Sequence, residues 1–178
     1  MRAQGDDDKT RASLELRVHG FQKGMFVFER QVSVSHDGEF VRVALDRPRC
    51  CCCAEAEPRE NITVITLGGW VRAVTLGEVD NFAQRSLRDI FVDVAFLGSN
   101  GVSLEHRLTT PDAAEAEIKR LILKAAKKRV LLADHSKVGV TSVWRYGELS
   151  DIDVLITGDT PTGALKAIEA AGISIVRV

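Results

Sequence analysis

Residues 92–101, VDVAFLGSNG, decide the fold class of this chain. The first six are mostly apolar, and Gly98 and Gly101 close the segment. A strand with one solvated face alternates polar and apolar side chains, whereas a strand buried on both faces reads as a nearly continuous apolar run. The segment therefore predicts an interior strand of a parallel sheet that is covered on both faces.

Similar runs lie on both sides of this segment. Before it we expect a buried strand at 62–67 (ITVITL), which runs into a tight turn at Gly68 and Gly69. Short apolar runs bounded by turn residues are typical of buried strands. After it we expect strands at 129–133 (RVLLA), 152–156 (IDVLI) and 173–178.

Stretches with helical periodicity separate these runs. The first opens at Asp80 and spaces Phe82, Ala83 and Leu87 for one face. The second is expected to start with Thr110 as N-cap and Pro111 in the first helical position. Its apolar stripe, at helical spacing, comprises Ala114, Ile118, Leu121, Ile122 and Ala125.

A third helix is expected after Thr160 and Pro161, with Leu165 and Ile168 facing inward and Gly172 ending it. Buried strands that alternate with amphipathic helices predict parallel βαβ units with right-handed crossovers. The fold class is therefore α/β, a parallel sheet with flanking helices.

The chain changes character near residue 60. Residues 13–19, 25–34 and 39–45 show partial alternation, which favours short strands, and 46–60 (DRPRCCCCAEAEPRE) is typical of a linker. We therefore expect an N-terminal arm and linker at 1–60 and the α/β domain at 61–178. No stretch before residue 60 has the length and periodicity of a DNA-recognition helix.

Composition and charge narrow the classes of function. The net charge is −1 and the isoelectric point about 6.4, which gives no basic field for nucleic acid. No stretch reaches the roughly eighteen apolar residues of a membrane span, and the first residues do not resemble a signal peptide. We expect a cytoplasmic protein that does not bind membranes.

All four cysteines are consecutive, at 50–53. Zinc sites use spaced pairs of cysteines, and neighbouring cysteines rarely form a disulfide because the ring is strained. We expect a thiol-rich linker, no metal site and no cofactor.

Polar and glycine-rich residues follow the predicted strands. Ligands of open parallel sheets bind beyond the carboxyl ends of the strands, so these loops are the candidate site. Glycines let backbone N–H groups approach an anion, and Arg72 and Lys137 would neutralise it. A small anionic ligand is expected. The loop residues are Gly68, Gly69 and Arg72; Gly98, Ser99, Asn100 and Gly101; and Asp134, His135, Ser136 and Lys137.

Other constellations have plainer explanations. Glu115 and Lys119 stand four residues apart on a helix, which also fits a surface ion pair. Asp134, His135 and Ser136 are adjacent, so their side chains point to alternate faces and cannot form a relay. No nucleotide-binding loop, zinc hydrolase motif or nucleophile elbow is present, and no catalytic residue is predicted.

Five segments in order resemble the effector domain of DeoR-family transcriptional regulators. In these regulators an N-terminal winged helix-turn-helix precedes a sensor that resembles ribose-5-phosphate isomerase in fold and binds phosphorylated sugars. The resemblance implies a regulator, expected to be a repressor, of carbohydrate metabolism that forms a homo-oligomer. The segments are VITLGGWVR (64–72), VDVAFLGSNGVS (92–103), LTTPDAAEAEIKR (108–120), VLLADHSKVG (130–139) and DIDVLIT (151–157).

The resemblance also implies an effector-binding set. Glu115 and Lys119 match the family's E-x-x-x-K pair, and Asp134 and Lys137 match its D-x-S-K loop, with Lys137 as the main ligand contact. The loop after the second strand offers Ser99 and Asn100 rather than acidic residues, so isomerase activity is not expected. The set comprises Gly68, Gly69, Arg72, Gly98, Asn100, Gly101, Glu115, Lys119, Asp134 and Lys137.

The chain departs from the family pattern in several places. Arg107 stands where the family has glycine, and Gly158 interrupts a usual Thr–Asp run. Neither the D-x-G-T-T phosphate loop nor the winged helix is found in 1–60, which suggests an incomplete sensor that reaches DNA only through a winged helix supplied by a partner. The alternatives are an isomerase-like enzyme and a truncated, non-functional fragment.

Overall fold

The computed structural model describes residues 65–73, 75, 77–158 and 162–178, together with the backbone of strands at 16–22, 25–30 and 43–45. These residues fall into two compact units on either side of the Val41–Arg42 bond. In the first unit, β1 (Leu16–Gln22) and β2 (Met25–Arg30) form an antiparallel hairpin. Both strands overlap those predicted at 13–19 and 25–34.

The second unit contains three helices and ten strands among the described residues. In chain order they are β3 (Val43–Leu45), β4 (Trp70–Val71), β5 (Glu78–Val79), α1 (Asn81–Arg88), β6 (Val92–Gly98), β7 (Gly101–Ser103), β8 (Arg107–Thr110), α2 (Ala113–Ala125), β9 (Ala126–Leu132), β10 (Trp144–Gly147), β11 (Val154–Thr157), α3 (Thr162–Ala170) and β12 (Ser174–Arg177). Short 3-10 helices lie at His135–Lys137 and Leu149–Asp151.

A parallel sheet organises this unit. Its five strands follow the order β12-β11-β9-β6-β3, and each neighbouring pair is parallel. The predicted α/β class with a parallel sheet and flanking helices is confirmed. β3 belongs to this sheet although it precedes residue 60. The domain boundary expected at residue 60 therefore lies between β3 and its partner strand β6.

The core lies between the sheet and the helices. Ala95 and Leu97 of β6 are fully buried, as the apolar run predicted. α3 buries Leu165 and Ile168, as expected, and Gly172 follows it with φ +89°. The expected cap at 160–161 lies outside the described residues. The apolar stripe of α2 faces the core, but its buried face also includes Glu115 and Lys119.

The start of α2 differs from the prediction. Thr110 is the last residue of β8, and Asp112 is the N-cap, whose carboxylate accepts the Glu115 N–H at 2.9 Å. Because a proline disfavours the helical conformation of the residue before it, Pro111 keeps Thr110 extended. The Thr110 hydroxyl contacts other residues instead of capping the helix.

Two further predictions about the first part of the domain were wrong. Residues 65–67 form no strand, and Ile65 is 84% exposed; residues 62–64 lie outside the described part. Phe82 is 68% exposed, because α1 turns Ala83 and Leu87 inward and Phe82 therefore lies on the outer side.

A small antiparallel sheet, in the order β10-β8-β7, was not predicted from the sequence. α2 packs against β10, whose Tyr146 is 2% exposed. Arg107, which follows the β7–β8 turn, has φ +68°, a conformation that favours glycine. This backbone accounts for the glycine that the resemblance places at residue 107.

Gly101→Ala is expected to lower the free energy of unfolding by about 1–3 kcal/mol. The added Cβ would lie 2.5 Å from both the Thr109 hydroxyl and the Val140 carbonyl oxygen. Gly163→Ala on α3 is the control, because nothing lies within 4 Å of its added atom, and it should change stability by at most about +1 kcal/mol. Urea unfolding followed by tryptophan fluorescence measures both; equal effects would contradict the packing of β7.

An ion pair joins β9 to the residue before β11. The Asp153 carboxylate accepts the Arg129 backbone N–H at 2.7 Å and two guanidinium N–H groups at 3.0 Å each. Hydrogen bonds from Arg129 lower the pKa of Asp153 below its usual 3.8, against the opposing effect of burial.

Asp153→Asn should therefore destabilise the protein in a pH-dependent way. A carboxylate whose pKa is lower in the folded state stabilises that state above its unfolded pKa, and loses this effect as the pH falls through the folded pKa. The difference in unfolding free energy between wild type and variant should be constant from neutral pH to just above 3.8 and shrink below it. Urea titrations in steps down to about pH 3 measure it; a difference that does not change with pH would disprove the pairing.

Candidate functional site

The carboxyl ends of the central strands meet at one edge of the sheet. Gly98 of β6 lies opposite Leu132 of β9, and Leu132 lies opposite Ile156 of β11. The loops at 98–101 and 134–137 therefore start side by side. A bridge between Val102 and Val138, and a 2.8 Å hydrogen bond from the Gly139 N–H to the Val102 carbonyl, hold their far ends together.

The 98–101 loop is held by its own hydrogen bonds. The Ser99 hydroxyl donates to the Gly101 carbonyl at 2.9 Å, and the Asn100 N–H donates to the Thr109 carbonyl at 3.2 Å. Gly101 packs too closely against Thr109 and Val140 for a larger residue. The loop thus presents the Asn100 side chain from a fixed backbone.

The 134–137 loop folds over the end of β9. The buried Asp134 carboxylate accepts the Ser136 N–H at 2.7 Å and so caps the short 3-10 helix. The Lys137 N–H donates to the Asp134 carbonyl at 3.0 Å. Lys137 is partly exposed, and among the described residues its ammonium group has no hydrogen-bond or ion-pair partner.

Glu115 occupies the centre of a polar network at the start of α2. Its side chain is 7% exposed. The Arg72 guanidinium donates to Glu115 Oε1 at 2.6 Å and lies 3.2 Å from an Asp112 carboxylate oxygen. The Thr110 hydroxyl lies 3.3 Å from Glu115 Oε2 and 3.1 Å from the Asn100 side-chain oxygen. This network links Arg72 and Glu115 to the 98–101 loop.

Lys119 lies one helical turn beyond Glu115 and is 1% exposed. Its ammonium group donates to the Gly98 carbonyl at 2.8 Å and lies 5.5 Å from the centre of the Tyr146 ring. The burial of Glu115 and Lys119 contradicts the alternative of an ion pair on the protein surface.

The turn at Gly68 and Gly69 is bound by carboxylates of the same chain. One Glu78 oxygen accepts the N–H groups of Leu67 and Gly68 at 2.7 and 3.0 Å. An Asp80 oxygen accepts the Trp70 N–H at 2.9 Å. The glycines have φ +79° and +94°, so the turn needs them for its backbone. Backbone groups that were expected to face an anionic ligand already bind Glu78.

A cavity of about 360 Å³ lies at the other end of β9. None of the ten predicted site residues lines it. Its lining residues are Arg120, Leu123, Lys124, Ala126, Arg129, Tyr146 and Asp151.

The described residues contain no group of three or more His, Cys, Asp or Glu side chains placed to hold a metal ion. The four cysteines lie outside this part of the chain. None of the helices in the described ranges is both long and apolar enough to cross a membrane.

The structure brings most residues of the predicted effector-binding set close together, and it shows further residues in contact with them. Gly98, Asn100 and Gly101 share one loop, beside Asp134 and Lys137. Thr110 and Asp112 were assigned to the helix start, so their contacts with Glu115 and Arg72 were missed. Nothing in the sequence indicated the contacts of Tyr146 and Glu78, because their partners are distant from them along the chain.

Comparison with known proteins relates this chain to a family of sensor domains. The family described as "DeoR C terminal sensor domain" matches residues 51–159. The HTH-type transcriptional regulator GlpR of Haloferax volcanii is 34% identical over 163 residues, which cover 91% of this chain and 62% of that protein. An alignment of this length extends into the first 60 residues.

Two further relatives are repressors by name. The HTH-type transcriptional repressor GlcR of Bacillus subtilis is 36% identical, over 60% of this chain and 41% of its own length. The Glycerol-3-phosphate regulon repressor of Haemophilus influenzae is 28% identical, over 66% of this chain and 46% of its own. The chain thus spans less than two thirds of each relative. With the family match over most of its length, it belongs to the DeoR C-terminal sensor domain family.

Proposed function

We propose that this chain is the effector-binding part of a transcriptional repressor of carbohydrate metabolism. Its effector is a phosphorylated sugar or a similar small anionic metabolite, whose binding changes affinity for operator DNA. The observation that supports this proposal is the meeting of the 98–101 and 134–137 loops, beside buried Glu115, at the carboxyl edge of the sheet in a member of this family.

Different residues of the proposed binding surface contact the anionic group and the hydroxyl groups of the effector. The Lys137 ammonium takes the anionic group, because it is partly exposed and has no partner among the described residues. Asn100, Glu115 and Asp134 supply oxygen atoms that accept hydrogen bonds from sugar hydroxyls. The whole surface comprises Gly68, Gly69, Arg72, Gly98, Asn100, Gly101, Glu115, Asp134 and Lys137.

A sensor fits this surface better than an isomerase. Proton transfer needs a base within reach of the substrate, and the loop after β6 offers Ser99, which hydrogen-bonds to its own loop, and the amide of Asn100. The Glu115 carboxylate is engaged by the Arg72 guanidinium and the Thr110 hydroxyl. These groups favour binding without turnover.

The relatives named HTH-type regulators suggest how the sensor acts. We propose that a winged helix-turn-helix, in the same protein or in an oligomeric partner, reads the operator. The sensor would work in the cytoplasm as part of a homo-oligomer, without a metal or cofactor.

Thermal denaturation with a panel of metabolites tests the effector class. The panel should include glycerol 3-phosphate, hexose and pentose phosphates, and each matching unphosphorylated compound. At about 100 times its dissociation constant, a true effector should add about 2.7 kcal/mol to stability. Only phosphorylated members are expected to raise the melting temperature. A folded sample that responds to none of them, or that turns one over, would contradict the proposal.

Lys137→Ala should weaken binding of the phosphorylated effector by about ten- to a hundredfold, since a hydrogen bond to a charged group is lost. The melting temperature without ligand should stay unchanged, because the Lys137 ammonium has no partner within the described residues. Lys166→Ala on the exposed side of α3 removes the same charge away from the site and is the control. Isothermal titration measures both, and equal affinities would exclude Lys137 as the anion contact.

A further inference from the structure

Lys119 is a charged residue that is almost completely buried in the described structure. Lysine is almost never fully buried unless it is paired, yet this side chain is 1% exposed in the middle of α2. Burying an ammonium group is costly unless strong hydrogen bonds compensate for the lost water. The contacts of this group therefore indicate what it does.

The ammonium group binds the carbonyl at the very end of β6. Gly98 accepts its hydrogen bond at 2.8 Å and also a 3.4 Å hydrogen bond from the Tyr146 hydroxyl. Gly98 is the last residue of β6, and its carbonyl belongs to the peptide bond that begins the 98–101 loop. The Tyr146 ring covers the ammonium group from β10 at 5.5 Å, a distance at which a cation and an aromatic face attract.

We infer that Lys119 is a positioning residue, which holds the Gly98 carbonyl and thereby fixes the 98–101 loop without contacting the effector itself. α2 carries the lysine, β6 ends at its acceptor, and β10 supplies the aromatic cover, so the hydrogen bond ties three elements together at the start of the loop. Glu115, one turn earlier on the same helix, lies within hydrogen-bond distance of the Thr110 hydroxyl, which also reaches the Asn100 side chain, and remains a proposed binding residue. In this E-x-x-x-K pair, Glu115 thus contacts the effector, whereas Lys119 positions the 98–101 loop.

Amide hydrogen exchange without any ligand provides the first test. Lys119→Met keeps the length of the side chain but removes the donor. The Asn100 N–H, which donates to the Thr109 carbonyl, should then exchange faster than in wild type, because the loop has lost its fixed end. Lys124→Met, at an exposed position of the same helix, is the matched control and should leave the Asn100 rate unchanged. An unchanged rate in folded Lys119→Met would overturn the inference.

Effector affinity provides the second test, and this part rests on the proposed function. With a phosphorylated sugar that binds wild type, Lys119→Met should weaken binding by about tenfold or more, while Lys124→Met does not. If no phosphorylated sugar binds wild type, the proposed function fails, but the exchange result still decides the role of Lys119. Unchanged affinity together with faster exchange would support the positioning role but show that the 98–101 loop does not bind the effector, which would contradict the proposed function.

Acylation of lysines in the wild-type chain needs no variant and covers the case in which Lys119→Met does not fold. Mass spectrometry should find Lys124 and Lys137 modified quickly and Lys119 protected, both without ligand and with saturating effector. Addition of effector should slow only Lys137. Reaction of Lys119 at the rate of Lys124, or a change in its rate when effector is added, would show that it reaches the binding surface and would disprove the positioning role.

Discussion

The central strands of the parallel sheet bury side chains on both faces, as Phe96 and Leu97 of β6 and Leu155 and Ile156 of β11 show, and this constraint determines where polar groups can lie. A buried strand can carry few polar side chains, so charged and hydrogen-bonding groups collect where the strands end. At those ends the backbone leaves the ladder of hydrogen bonds, and each buried N–H and carbonyl needs a new partner. The Gly98 carbonyl obtains one from Lys119 and another from Tyr146. The polar edge is therefore needed for the fold as well as available for a ligand.

The same constraint explains which parts of the fold could be predicted. β6 and β11 follow directly from apolar runs too continuous for a half-exposed strand. The second part of β9 does so too, whereas its first part contains the exposed Lys127 and Lys128 and was not predicted. The small sheet of β7, β8 and β10 was missed because its strands have only three or four residues, too few to establish a period of two. Thr110 and Pro111 carry a typical helix-start signal, but the proline restricts the residue before it and the helix begins two residues later than expected.

For the candidate site, the sequence predicted which loops lie close together better than it predicted which groups hydrogen-bond to one another. The order of strands fixes which loops meet, so the proximity of 98–101 and 134–137 could be predicted. The use of each side chain depends on contacts between elements, such as Glu78 with the 67–68 backbone or Arg72 with Glu115, 43 residues further along the chain. No local pattern records these contacts. Likewise, the four-residue spacing of Glu115 and Lys119 fits an exposed pair as well as a buried one, and only packing distinguishes the two.

Acidic and basic side chains are distributed unevenly around the candidate site. Glu78 and Asp80 hold the Gly68–Gly69 turn, and Asp112 and Glu115 hold Arg72, so these groups mainly neutralise one another or backbone dipoles. A dianionic ligand on that side would meet four carboxylates and a single guanidinium that two of them already engage. Lys137 lies on the other side, beside the 98–101 loop, and its charge is not matched by a carboxylate within the described residues. Under the proposed function, the anionic end of an effector therefore belongs near Lys137, and its hydroxyl-bearing end belongs toward Asn100 and Glu115.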